Sequence, residues 1–204
     1  MRVILASASP RRKELLAKIF PEFEVIPAKG NERFTKRKPF DIVQQLAAQK
    51  AAEVEEAEFG NYKETAAGCT DYLVLGADTV VVYQDQILGK PQNASHATEM
   101  LRMLSGSVHQ VYTGVAIRLM LHGEHQCIEF AECTHVRFYP MTDTEIKAYV
   151  RSKEPMDKAG SYGIQGMGAR FVQEVKGDYA NVVGLPVAKL YQVLKKIEEI
   201  ALPF

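Results

Sequence analysis

Met1-Arg2-Val3-Ile4-Leu5-Ala6-Ser7-Ala8-Ser9-Pro10-Arg11-Arg12 opens the chain, and the rest is organised around it. The apolar run at 1–6 predicts a buried strand. Pro10 suits the first position of a helix, where its missing N–H has no intrahelical partner, and Ser9 ahead of it is a good N-cap. Two arginines in the first turn oppose the positive end of a helix dipole, a conflict an anion relieves. A strand ending in Ser-x-Ser, free backbone N–H groups and two guanidinium forks together make a phosphate-binding arrangement. The same residues also fit an ordinary strand–turn–helix with solvated arginines.

Outward from this stretch, helix and strand patterns alternate. Leu15, Leu16 and Ile19 predict a helix over 10–19, and a second strand follows at 23–26. A polar connection at 27–38 contains Glu32, and Pro39 opens a longer helix buried through Ile42, Val43, Leu46, Ala47 and Val54. Lys50 interrupts that apolar face, either snorkelling to solvent or aimed into a cleft. Small and polar residues at 60–70 predict a surface loop. A strand at 72–83 carries Gly76-Ala77-Asp78-Thr79, and a Gln84-Asp85 turn leads through 86–88 to Gly89-Lys90-Pro91. Asn93 caps a helix over 94–104. Strands at 108–121 and 127–139 pair through a hairpin at 122–125. Thr142-Asp143-Thr144-Glu145 is a capping box for a helix reaching 151. A glycine-dense loop at 157–168, a strand at 171–175 and a last helix from Pro186 to about 200 complete the chain. These elements predict one α/β domain over residues 1–204, with a mixed sheet carrying a long antiparallel hairpin.

Composition bounds the function. The 204 residues are 47% hydrophobic and 25% charged, which is globular, and 25 basic residues balance 25 acidic ones. Such a balance supplies no general field for a nucleic acid polymer or an anionic membrane, so any polyanion site is local. No apolar stretch approaches the roughly 20 residues of a membrane helix, and the N-terminus is not a signal peptide. Cys69, Cys127 and Cys133 lack metal-ligand spacing, and an odd count argues against a disulfide framework, which favours the cytoplasm.

Asp78 is the most informative carboxylate. It sits among Val74, Leu75, Ala77, Val80, Val81 and Val82, where an unpaired charge is costly. It is either a structural aspartate bonded to backbone N–H groups or a general base or metal ligand at a bend marked by Gly76. Lys90 is held between Gly89 and Pro91, as a positioned ammonium or as surface decoration. Glycines at 160, 163, 166 and 168 allow positive φ and close approach to a ligand, or a mobile turn. Arg11, Arg12, Lys50 and Lys90 with Glu32 and Asp78 form an inventory suited to metal-assisted attack of water on a nucleotide phosphate.

The chain resembles the Maf nucleotide pyrophosphatases from end to end. The resemblance rests on Ala6-Ser7-Ala8-Ser9-Pro10-Arg11-Arg12, Gly76-Ala77-Asp78-Thr79, Gly89-Lys90-Pro91, the block from Asp157-Lys158-Ala159-Gly160 through Gly163-Ile164-Gln165-Gly166, and Val183-Gly184-Leu185-Pro186. It implies an α/β fold with an elongated mixed sheet flanked by helices around a central cleft, similar to inosine triphosphatases, and often a homodimer. It implies hydrolysis of a nucleoside triphosphate to the monophosphate and pyrophosphate with Mg²⁺ or Mn²⁺. By the same resemblance Asp78 is the proton acceptor, Ser7, Arg12, Lys50 and Lys90 bind phosphate, and Glu32 with Asp78 holds the metal. Arg11, Thr79 and Gln165 match the branch acting on dTTP and UTP, with modified pyrimidine nucleotides as further substrates. The sister branch acts on 7-methyl-GTP, and a nucleotide-binding regulator of cell division is the reading from another class. The chain departs from the family at Asn31-Glu32, where a Glu-Glu pair is usual, and in a long connection over 60–72.

Overall fold

The computed structural model describes residues 1–60, 71–197 and 200. Among the described residues seven strands form one mixed sheet in the order β2-β1-β3-β5-β6-β7, with β4 paired to β3. They are β1 (Arg2–Leu5), β2 (Glu24–Val25), β3 (Tyr72–Tyr83), β4 (Gln86–Leu88), β5 (Val108–Leu121), β6 (Glu124–Phe138) and β7 (Val172–Lys176). The helices are α1 (Pro10–Leu16), α2 (Pro39–Phe59), α3 (Ala94–Leu104), α4 (Asp143–Arg151), α5 (Tyr179–Val183) and α6 (Val187–Leu194). β1 pairs in parallel with β2 and β3, whereas β3 with β4 and β6 with β7 are antiparallel. The expected mixed α/β sheet is therefore present. No helix among the described residues is long and apolar enough to cross a membrane.

The chain divides into two compact units. The first takes Met1–Asp78, Thr113–Ala131 and the segment from Gly184; the second takes Thr79–Tyr112 and Glu132–Val183. In the first, Ile4, Ala6, Tyr72, Val74, Ala116 and Met120 pack against Ala47, Ala51 and Val54 of α2. Fully burying an aliphatic side chain of this size stabilises by about 1.5–3 kcal/mol. Alanines at 47 and 51 keep α2 thin where it meets the sheet. Gly76 on β3 continues this logic, because a Cβ there would collide with the Ala47 carbonyl oxygen. Gly114 on β5 likewise lies against the backbone of Val43 and Gln44.

In the second unit Asn93 Oδ1 accepts from His96 N–H at 2.9 Å and caps α3. Thr142 and Glu145 close the expected capping box on α4. His109, Phe138 and Tyr162 meet edge to face, with ring centroids 4.7 to 5.3 Å apart. Gln84 and Asp85 both have positive φ, 47° and 63°, the geometry of a tight two-residue hairpin between β3 and β4. His122 and Gly123 repeat it between β5 and β6 in the first unit, at 49° and 84°.

Several element ends differ from expectation. α1 stops at Leu16 because the amides of Lys18 and Ile19 turn to carbonyls three residues back, ahead of Pro21. α6 stops at Leu194 rather than near 200, again through three-residue bonds from Lys196 and Ile197. β6 starts at Glu124 instead of 127, and α5 was not foreseen. The expected surface loop at 60–70 and Cys69 fall outside the described residues, apart from Gly60; Cys127 and Cys133 are free thiols.

Candidate active site

β1 delivers Ser7 to its carboxyl end, where only 7% of the residue stays exposed. Ser7 Oγ accepts from Ser9 N–H at 3.3 Å and from Arg12 Nη1 at 3.2 Å. Ser9 caps α1 through Arg12 N–H at 3.4 Å, as its place before Pro10 predicts. Arg12 Nε donates to Gly184 O at 2.9 Å, so this guanidinium is fixed at both ends. Burial holds its pKa below the ordinary arginine value, with the negative charge of Asp78 opposing and that of neighbouring Arg11 adding to the decrease. Arg11, Arg12, Asp78 and Glu32 thus share one electrostatic neighbourhood.

Gly76 explains how Lys50 reaches Asp78. Side chains two residues apart share one face of a strand, and those three apart share one face of a helix. The close approach at Gly76 and Ala47 therefore brings together the residue two beyond the first and the residue three beyond the second. Lys50 Nζ lies 2.5 Å from Asp78 Oδ1 and 2.8 Å from Glu32 Oε1. Lys50 therefore turns toward two carboxylates rather than snorkelling to solvent. Asp78 is 8% exposed, and the Lys50 ammonium donates to its Oδ1.

Glu32 stands on a connection that the sequence reads only as polar. Three side chains of α2 organise it. Glu53 Oε1 accepts from Lys29 N–H at 2.6 Å and Gly30 N–H at 3.0 Å, Gln49 Oε1 accepts from Arg33 N–H at 3.3 Å, and Gln45 Oε1 accepts from Thr35 N–H at 3.1 Å. Gln45, Gln49 and Glu53 recur every fourth residue, and that spacing was the available signal of a shared helix face.

The second unit carries the remaining candidates. Thr79 is half-buried on β3, directly after Asp78, and Lys90 and Gln165 are exposed. Gly160 N–H donates to Gly89 O at 3.1 Å, tying the glycine-dense loop to the Gly89-Lys90-Pro91 turn. Gly160 has φ 67°, and a Cβ there would press on Val81. At Gly166 and Gly168 the space is taken by the Glu154 carboxylate and the Tyr149 hydroxyl. Neither Tyr149 nor Glu154 was singled out in the sequence, since each binds backbone amides across a turn and carries no motif.

A charged cluster in the first unit also escaped the sequence. Glu55, 2% exposed, accepts from Tyr72 Oη at 2.9 Å, meets His125 Nε2 at 2.7 Å, and pairs with Arg118 Nε. Its partners lie 17, 63 and 70 positions away, so spacing could not reveal them. This cluster replaces water for a carboxylate on the buried side of α2.

Chemically, two carboxylates joined by one ammonium beside a fixed guanidinium provide hard oxygen donors and cations for phosphate. Among the described residues no group of three or more His, Cys, Asp or Glu side chains could hold a metal by itself. Two carboxylates nonetheless suit Mg²⁺, which commonly takes one or two protein carboxylates and completes its shell with substrate phosphates and water.

The model of the Maf-like protein family matches residues 2–197. Over 202 residues the chain is 52% identical to a dTTP/UTP pyrophosphatase of Agathobacter rectalis, spanning 96% of this chain and 97% of the relative. A protein of the same name from Bacillus thuringiensis is 50% identical over 196 residues, spanning 96% and 95%. One from Bacillus cereus is 48% identical over 198 residues, spanning 97% and 96%.

Proposed function

Because the chain belongs to the Maf-like family, we propose that it hydrolyses dTTP and UTP, and modified pyrimidine nucleoside triphosphates, to the monophosphate and pyrophosphate. The observation that carries this reading is Lys50 Nζ bridging Glu32 and Asp78 beside the arginine-rich first turn of α1. Relatives named for dTTP and UTP favour this branch over the 7-methyl-GTP one.

In the proposed reaction the oxygen of water attacks the α-phosphorus. The bond from that phosphorus to the oxygen bridging to the β-phosphorus breaks, and pyrophosphate leaves with the electron pair. Asp78 accepts the water proton. Positioned proton transfer of this kind contributes about 10²–10⁴-fold. Arg12, Ser7, Lys50 and Lys90 bind the phosphates, and the cations offset charge growing on the leaving group. Glu32 and Asp78 would hold Mg²⁺ or Mn²⁺, which when bound neutralises phosphate charge and polarises the phosphorus centre. Arg11, Thr79 and Gln165 discriminate the base, Gln165 through a carboxamide that offers both a donor and an acceptor to a uracil-type edge.

The test is hydrolysis of UTP in ¹⁸O-labelled water. The reading requires UMP and pyrophosphate as products, with the label in UMP. Label in inorganic phosphate, or UDP as the product, would place the attack elsewhere and overturn it. The homodimer is part of the same proposal, and light scattering giving a single-chain mass at assay concentration removes it.

A further inference from the structure

The glycine-dense loop is held by two side chains that have no part in the chemistry proposed above. Glu154, in the 3₁₀ turn Glu154–Asp157 just after α4, accepts Met167 N–H at Oε2 (2.9 Å) and Gly168 N–H at Oε1 (3.2 Å). Tyr149, on α4 and 4% exposed, donates its hydroxyl to Glu154 Oε1 at 2.8 Å and accepts Gly163 N–H at 3.0 Å. Three backbone amides on either side of exposed Gln165 thus converge on one tyrosine–glutamate pair.

The glycines fit this arrangement. Of those at 160, 163, 166 and 168, only Gly160 has a positive φ. A Cβ on Gly166 would stand 2.5 Å from Glu154 Oε1, and one on Gly168 would stand 2.6 Å from Tyr149 Oη. A Cβ on Gly163 would meet Lys158 Cε at 2.7 Å and Glu154 Oε1 at 3.3 Å. These three glycines therefore make room for the anchor beneath the loop. Burial raises the Glu154 pKa, but the amides of Met167 and Gly168 and the Tyr149 hydroxyl outweigh it, so the carboxyl sits below its ordinary value and serves as an acceptor at neutral pH. Lys158 Nζ secures the same turn through Glu154 O at 2.7 Å.

We propose that Tyr149 and Glu154 are positioning residues for base selection, fixing the loop backbone from which Gln165 presents its carboxamide to a pyrimidine. The inference rests on the reading of Gln165 as the base-contacting residue. Uracil and cytosine differ in whether ring position 4 carries an acceptor oxygen or a donor amine. A carboxamide held at one angle discriminates between them, and one on a loosened loop turns to suit either. Replacing Glu154 by Gln keeps the side chain's shape but puts an amide NH₂ against backbone N–H groups, where two donors face each other.

The experiment measures kcat/KM for UTP and CTP in the wild type, Gln165→Ala, Glu154→Gln and the double variant, each with its melting temperature. Glu154→Gln is expected to lower the UTP/CTP ratio at least tenfold, chiefly through KM for UTP, and adding Gln165→Ala should lower it by less than twofold more. A folded Glu154→Gln with a ratio within twofold of wild type overturns the inference, and so do two substitutions whose effects multiply. If Glu154→Gln does not fold, Tyr149→Phe takes its place with the same outcomes, since it removes the hydroxyl's bonds to Gly163 N–H and to Glu154 Oε1 and leaves those of Glu154 to Met167 and Gly168. A wild-type ratio in Gln165→Ala alone removes Gln165 from base reading, and this inference falls with it. A tenfold loss in Gln165→Ala beside an unmoved Glu154→Gln overturns the positioning role alone.

Discussion

Lys50 Nζ and Asp78 Oδ1 stand 2.5 Å apart, and the same ammonium reaches Glu32 Oε1 at 2.8 Å. The lysine side chain is 17% exposed and that of Asp78 11%, so this is a partly desolvated contact rather than a surface pair. Lys50→Met should lower kcat/KM for UTP at least about 100-fold, since it removes a phosphate-binding cation and leaves two carboxylates facing each other. Steady-state kinetics across a range of UTP check this, and a loss below threefold would remove Lys50 from the site.

Asp78→Asn keeps the shape and loses the base. Turnover should fall by about 10²–10⁴-fold, with KM for UTP changing far less. Wild-type turnover in a folded Asp78→Asn protein would move the proton acceptor elsewhere, with Glu32 the next carboxylate to replace.

Asp78, the first turn of α1 and the start of α4 were legible in the sequence because their signals are local: an acid inside a valine-rich strand, a serine before a proline, a capping box at Thr142 and Glu145. Glu32 was harder. Its position depends on Gln45, Gln49 and Glu53 of α2 gripping the backbone of the 27–38 connection, and polar composition alone shows no such grip. Glu55 and Glu154 were invisible for a related reason, since long-range folding gives them their partners. The glycine motif at 160–168 was seen but explained only in part. Positive φ accounts for Gly160, whereas the others yield space to Glu154, Tyr149 and Lys158.

Gly76→Ala tests how α2 and β3 bring Lys50 to Asp78. The added Cβ meets the Ala47 carbonyl, and overpacking of this kind costs about 1–3 kcal/mol. Activity should fall together with the urea midpoint, because relief of the clash parts the helix from the strand. A variant that loses stability but keeps full activity would separate the two.

Gln165→Glu should narrow the preference for UTP over CTP. It replaces a group that donates and accepts with one that only accepts when ionised. The ratio of kcat/KM values is the measure, and an unchanged ratio takes Gln165 out of base reading.

His109 predicts a pH dependence of stability unrelated to catalysis. Burial drives its pKa from 6.5 down to about 3 in the folded protein. The unfolded chain therefore binds the extra proton first as pH falls. The stabilisation is whole above pH 6.5 and is lost on acidification toward pH 3, at about 1.4 kcal/mol per pH unit. Between pH 7 and pH 5 the wild type should lose about 2 kcal/mol more than His109→Gln, read from urea unfolding at each pH. Equal losses in the two proteins would mean that the buried ring takes up its proton without opening the fold.

Pyrophosphate release from dTTP, UTP, CTP, GTP and 7-methyl-GTP, with Mg²⁺, with Mn²⁺ and with chelator, is the direct test of metal-dependent hydrolysis of pyrimidine nucleoside triphosphates by this chain. Release should depend on the metal, run fastest with dTTP or UTP, and be abolished by the chelator. Release that survives chelation, or is tenfold faster with 7-methyl-GTP, would contradict it.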